Sequence, residues 1–120
     1  MENSTILVVD SNPKNVQILR ENLEVTGFEV IVASDGLQAW QKISAGEPNL
    51  VLSEVTLPKL DGFQLLEKLK GDPTTSSIPL MFLTSRRDLQ DRVRSLRGGV
   101  KDYMIKPLHV KEVIARIRMI

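Results

Sequence analysis

Three apolar runs constrain this chain more than any other feature. ILVV (6–9), LVL (50–52) and LMFL (80–83) are continuous rather than alternating. A strand with one face in water alternates polar and apolar residues; a strand covered on both faces does not. The runs therefore point to a parallel sheet with helices on both sides. Five strands are expected: Ile6–Asp10, Phe28–Ala33, Leu50–Ser53, Leu80–Thr84 and Asp102–Ile105.

Helical periodicity fills the gaps between them. Val16, Leu19 and Leu23 share one helix face, as do Leu37, Trp40 and Ile43. Phe63, Leu66 and Leu69 form a third set, Leu89, Val93 and Leu96 a fourth, and Val110, Val113, Ile114 and Ile117 a fifth. Each set is expected to cover the sheet. Asn12-Pro13 reads as an N-cap with proline in the first helical position, and Asp61-Gly62 as the start of the third helix. Gly27, Gly46, Gly71 and Gly98-Gly99 fall where helices should stop. Strand and helix alternate five times, so right-handed crossovers give a doubly wound α/β sheet.

A chain of 120 residues suits one domain, 1–120, with one interior. It has no Cys, which removes disulfides and thiolate metal sites. No apolar run is long enough to span a bilayer, and the start lacks a basic segment before its apolar run, so a cytoplasmic protein is expected. The net charge is +1, unevenly spread. Residues 1–85 carry 6 Lys and Arg against 11 Asp and Glu; residues 86–120 carry 10 against 4. The basic end marks either a partner surface or a solvated helix face.

Ligands of doubly wound sheets bind beyond the carboxyl ends of the strands. Here those ends carry Asp10-Ser11, Glu54, Thr84-Ser85 and Lys106-Pro107. The first loop, DSNPKN, has no glycine, which argues against a phosphate-cradling loop. His109 is the only histidine, and no G-x-S-x-G elbow exists, so zinc and serine-hydrolase chemistry find no support.

ILVVDS, LVLSEVTLPKLDG, PLMFLTS and DYMIKP, in this order and spacing, resemble the receiver domain of bacterial response regulators. The resemblance covers essentially the whole chain. It implies a flavodoxin-like (βα)5 fold with strand order 2-1-3-4-5. It also implies a pocket in which an acidic pair binds Mg²⁺ and an Asp ending the third strand accepts a phosphoryl group. A hydroxyl and a Lys contact that group, and an aromatic on the fifth strand moves with the hydroxyl. Asp10, Thr84, Lys106 and Tyr103 match the first acid, the hydroxyl, the lysine and the switch aromatic. The resemblance also implies a cis peptide at Lys106-Pro107.

Two positions depart. Ser11 stands where the second acid belongs, and Glu54 stands at the phosphoacceptor position. Mg²⁺ prefers anionic oxygens in octahedral array, and Ser11 offers a neutral hydroxyl. Asp10, Glu54 and the Thr56 carbonyl are the remaining metal candidates, so Mg is expected to bind weakly or not at all, and no cofactor is required. Glu54 reaches about 1.5 Å further than Asp, one bond length. Transfer in line is sensitive to displacements of about 1 Å. The expectation is an atypical receiver that works in phosphorelay signalling through protein contacts. It is no enzyme beyond, at most, accepting its own phosphoryl group. A phosphorylation-competent receiver is the alternative, and a flavodoxin-like cofactor binder a weaker one. Glu54 reads either as a charge mimic of phosphate or as part of a degenerate scaffold, paired with Lys106; the sequence leaves both open. Arg92, Arg94, Arg97 and Lys111 are the expected partner surface for a sensor kinase, an output domain or a second copy through helices 4 and 5. Nucleic acid is not expected as a partner, because the net charge is near zero and no stacking aromatics accompany the arginines; no membrane is expected, because no apolar run is long enough to span one. The last helix stops at Ile120 without a tail, so a longer parent chain is expected, with a stand-alone receiver as the alternative.

Overall fold

The computed structural model describes residues 4–120. Five strands alternate with five helices: β1 (Thr5–Val9), α1 (Pro13–Thr26), β2 (Glu29–Ala33), α2 (Gly36–Ser44), β3 (Leu50–Ser53), α3 (Gly62–Gly71), β4 (Leu80–Thr84), α4 (Leu89–Arg97), β5 (Asp102–Ile105) and α5 (Val110–Arg118). The strands form one parallel sheet in the order β2-β1-β3-β4-β5. This is the expected five-stranded receiver-type architecture. Observed strand bounds differ from the expected ones by one residue at β1 and at the start of β2.

The continuous apolar runs have the cause inferred for them. Leu7, Val9, Val51, Leu80, Phe82 and Tyr103 pack into one cluster with α2 and α3. Ile6, Val8, Leu50, Leu52, Met81, Leu83 and Met104 pack into the other with α1 and α5. Alternate residues thus enter alternate layers, and both layers are apolar.

Local chemistry sets the helix ends. The Asn12 side chain accepts from the Lys14 N–H ahead of Pro13, and α1 ends on Gly27 at φ 109°, a left-handed cap that favours glycine. Asp61 and Gln64 exchange hydrogen bonds in a capping box that fixes the start of α3. At the start of α2, Gly36 lies so close to Leu60 that a Cβ would overlap the Leu60 carbonyl.

Two helices correct the sequence reading. In α2 the buried residues are Gly36, Ala39 and Ile43, while Leu37 faces out at 46% exposure. In α4 the expected covering face is turned to solvent: Leu89 is 71% and Leu96 58% exposed, and Val93 is also exposed. Ser95 is the buried α4 residue, its hydroxyl donating to the Asp91 carbonyl at 2.7 Å. The Arg94 guanidinium lies 4.1 Å from the Phe63 ring centre and Arg92 5.9 Å from that of Tyr103. Arginine over aromatic faces replaces leucine in the inward packing. No helix among the described residues is long and apolar enough to cross a membrane.

Candidate functional site

The sheet register builds the site. Val9 lies between Ala33 and Ser53, so Asp10 and Glu54, one residue further along, emerge side by side. The Glu54 N–H donates to the Val9 carbonyl at 2.9 Å, which carries the β1–β3 pairing to this point. Thr84 pairs with Ile105, and the Lys106 N–H donates to the Thr84 carbonyl at 2.8 Å, so Lys106 leaves β5 at the same rim. The Lys106–Pro107 peptide is cis.

Lys106 Nζ donates to Asp10 Oδ2 at 2.8 Å and to Glu54 Oε2 at 2.9 Å. Both carboxylates are buried, and the lysine side chain is 19% exposed. The other carboxylate oxygens are also held. Asp10 Oδ1 accepts from the Asn12 N–H at 2.9 Å, and Oδ2 takes a second, longer bond from Asn15 at 3.3 Å. Glu54 Oε1 accepts from the Val55 N–H at 2.8 Å, with the Thr56 N–H at 3.5 Å. Burial alone would lower the Lys106 pKa; hydrogen bonds and charge from Asp10 and Glu54 outweigh it and hold the ammonium above its ordinary value.

Asp10, Glu54 and Lys106 therefore meet at one rim of the sheet. Ser11 and Thr56 lie beside them but are exposed. Thr84 is fully buried, and its hydroxyl accepts from the Arg86 N–H at 3.1 Å. Ser53 faces the interior, its hydroxyl donating to the Glu54 carbonyl at 2.8 Å. Tyr103 is buried, edge-on to Phe82, and its hydroxyl donates to the Arg86 carbonyl at 2.9 Å. Burial, with the Asp91 carboxylate adding to it, pushes the Tyr103 phenol up from its ordinary value.

Arg86 is the residue that sequence reasoning passed over, grouping it only with the basic end of the chain. Its N–H meets Thr84, its carbonyl meets Tyr103, and its guanidinium pairs with Asp91 of α4 at 2.9 Å. The missed signal is its position, two residues past the strand-end hydroxyl. Asn15 was missed as well; it sits one helical turn past the Asn12 cap, where it turns toward Asp10. Among the described residues, Arg92, Arg94, Arg97 and Lys111 are exposed, with Arg92 and Arg94 also stacked on rings as above. No three His, Cys, Asp or Glu side chains gather to hold a metal ion among the described residues.

Comparison with known proteins gives these positions a family. Residues 6–118 match the response regulator receiver domain. The chain is 40% identical over 118 residues to the alkaline phosphatase synthesis transcriptional regulatory protein PhoP of Bacillus subtilis, covering 98% of this chain and 48% of that protein. It spans about half the length of several curated relatives it matches. Among solved structures, the receiver domain of a signal transduction histidine kinase from Syntrophus aciditrophicus superposes with a TM-score of 0.89 at 33% identity, covering 97% of this chain and 88% of that one. The receiver domain of a sensor histidine kinase from Pseudomonas aeruginosa, solved with a magnesium ion in its active site cleft, gives 0.89 at 26% identity, covering 98% of this chain and 96% of that one. The chain belongs to the response regulator receiver domain family, with Glu54 at the position of the phosphoacceptor aspartate.

Proposed function

We propose that this chain is the receiver module of a longer cytoplasmic signalling protein. It works in phosphorelay signalling through contacts with protein partners, without phosphorylation at Glu54. The observation that carries this reading is the engagement of Glu54: one oxygen takes the Val55 N–H and the other the Lys106 ammonium. In-line attack needs a free, well-placed carboxylate oxygen. Here each oxygen already accepts a hydrogen bond that holds it in place, and the side chain is a methylene too long.

Between charge mimic and degenerate scaffold, the Tyr103 contact favours the mimic. Glu54 ties to Lys106 at one end, and Tyr103 is drawn inward onto Arg86 at the other. Thr84 contacts the same Arg86, so the residues that would move together are bonded in one arrangement. Partner docking falls to the α4 and α5 end. Leu89, Val93 and Leu96 form an exposed apolar stripe flanked by Arg92 and Arg97, with Lys111 on α5. An output domain, a sensor kinase or a second copy would seat there; PhoP, to which this chain is similar across 48% of that protein's length, is a transcriptional regulatory protein.

Incubation with acetyl phosphate and Mg²⁺, read by intact mass, tests the central statement. The protein is expected to remain at its unmodified mass. A stable adduct about 80 Da heavier, one phosphoryl group, would establish the phosphorylation-competent alternative.

A further inference from the structure

The charge that holds Asp10 and Glu54 together here comes from the chain itself. Mg²⁺ demands near-octahedral oxygen ligation at about 2.0–2.1 Å and gives up its waters reluctantly. Each carboxylate oxygen it would need already accepts a hydrogen bond from the protein. Asp10 Oδ1 holds the Asn12 N–H, and Oδ2 holds Lys106 and Asn15. Glu54 Oε1 holds the Val55 N–H, and Oε2 holds Lys106. Ser11 adds only an exposed, neutral hydroxyl. Two carboxylates already bridged by an ammonium, with no third Asp, Glu, His or Cys gathered beside them among the described residues, make a donor set that does not fit a divalent ion.

We propose that the Lys106 ammonium is the resident cation of this pocket and takes the part a divalent metal would play, so that the domain keeps its folded signalling conformation without Mg²⁺. Three features support it. One ammonium bridges two carboxylates from different strands, at 2.8 and 2.9 Å. The lysine leaves β5 directly onto this rim, held there by its own backbone bond to Thr84. No buried side-chain nitrogen or oxygen among the described residues lacks a partner, so the pocket is satisfied as it stands. The inference rests on the proposed reading of the site as an unphosphorylated receiver pocket. Its test reads metal rather than phosphate or partner, so the two can fail separately.

The experiment is titration of the purified protein with MgCl₂, followed by calorimetry and thermal melting. Wild type is expected to show no saturable heat and an unmoved melting temperature at millimolar Mg²⁺. Lys106→Met keeps the length of the stem and removes the charge, leaving two facing carboxylates. It should bind Mg²⁺ at least about tenfold more tightly than wild type and melt higher when metal is added. Adding Glu54→Gln to Lys106→Met should abolish that gain. Saturable Mg²⁺ binding by wild type as tight as that of Lys106→Met would overturn the inference. If Lys106→Met does not fold in metal-free buffer, the wild-type titration decides alone: saturable heat overturns the proposal, and its absence upholds it.

Discussion

Lys106 and Glu54, 52 positions apart in sequence, meet at 2.9 Å across the carboxyl end of the sheet. The contact joins β3 to β5, which are not neighbours; β4 lies between them. It spans the rim where the receiver family concentrates its chemistry. Glu54→Gln keeps the size of the side chain and removes its charge. Asp10 still holds the ammonium at 2.8 Å, so melting should stay cooperative, with a loss of about 1–2 kcal/mol rather than the 3–5 expected for a fully orphaned buried charge. If Glu54 sets the signalling state, affinity for an output or kinase domain should shift by about 1–3 kcal/mol, a typical coupling energy. Calorimetric titration against such a domain reads this directly. Identical affinities for the two proteins would leave the scaffold reading in place.

The same contact predicts behaviour at high pH. The Lys106 pKa is raised in the fold, with burial opposed by Asp10 and Glu54. A raised pKa contributes stability that is fully present below the unfolded value, about 10.4, and is lost as pH rises through the folded value. Wild type should therefore lose stability at alkaline pH beyond what its other groups explain. Glu54→Gln removes one source of the shift and should show a shallower loss across the same window. Denaturant midpoints measured from neutral to strongly alkaline pH check the slopes; parallel curves would mean that the bridge contributes nothing to folding.

The face of α4 separates binding from packing. Leu89 and Leu96 are exposed, so Leu89→Ser with Leu96→Ser should alter stability by no more than about 0.5 kcal/mol. It should weaken self-association or partner binding if the stripe is the docking surface. Arg94→Glu behaves differently. Its guanidinium covers the Phe63 ring at 4.1 Å, so this variant should lose about 0.5–1 kcal/mol of stability as well. Sedimentation and partner titration at low and moderate salt distinguish the two variants. Unchanged association for the leucine pair at both salts would exclude this face.

The sequence carried the strand ends because continuous apolar runs stop abruptly, and a polar residue after such a run has only one rim to occupy. Asp10, Glu54 and Lys106 were legible for that reason; the Glu54–Lys106 pair belonged to the scaffold reading, and the contact of Lys106 with Asp10 was not foreseen. The face of α4 was not legible. A period of 3.6 marks a stripe along a helix but does not say whether the stripe points in or out. Arg92 and Arg94 supply inward contacts through their stems and planar heads, and no hydropathy pattern scores an arginine as interior. Arg86 was hidden for a different reason. Its part in the site is played by the backbone N–H and carbonyl, which every non-proline residue possesses.

Repairing the pocket tests what disables it. Two departures, Ser11 and Glu54, are held responsible, while Asp10, Thr84 and Lys106 are already in place. Ser11→Asp returns a hard anionic ligand beside Asp10 and should strengthen Mg²⁺ binding. Alone it should not restore phosphorylation, because Glu54 remains too long and bound to the Val55 N–H at 2.8 Å. Glu54→Asp alone corrects the reach but leaves the metal weak. The double variant should accept a phosphoryl group from acetyl phosphate in the presence of Mg²⁺, seen as a mass increase. Residues that act as a unit are not additive, so labelling by the double variant should exceed the combined labelling of the singles. A further carboxylate near Asp10 also adds like-charge repulsion, so Ser11→Asp should melt lower without metal and recover in part when Mg²⁺ is added. A double variant that folds and binds Mg²⁺ yet stays unlabelled would show that the block lies elsewhere. The first place to look would then be the position of Thr84, whose hydroxyl oxygen accepts from the Arg86 N–H at 3.1 Å and must still bring its O–H within reach of an incoming phosphoryl oxygen.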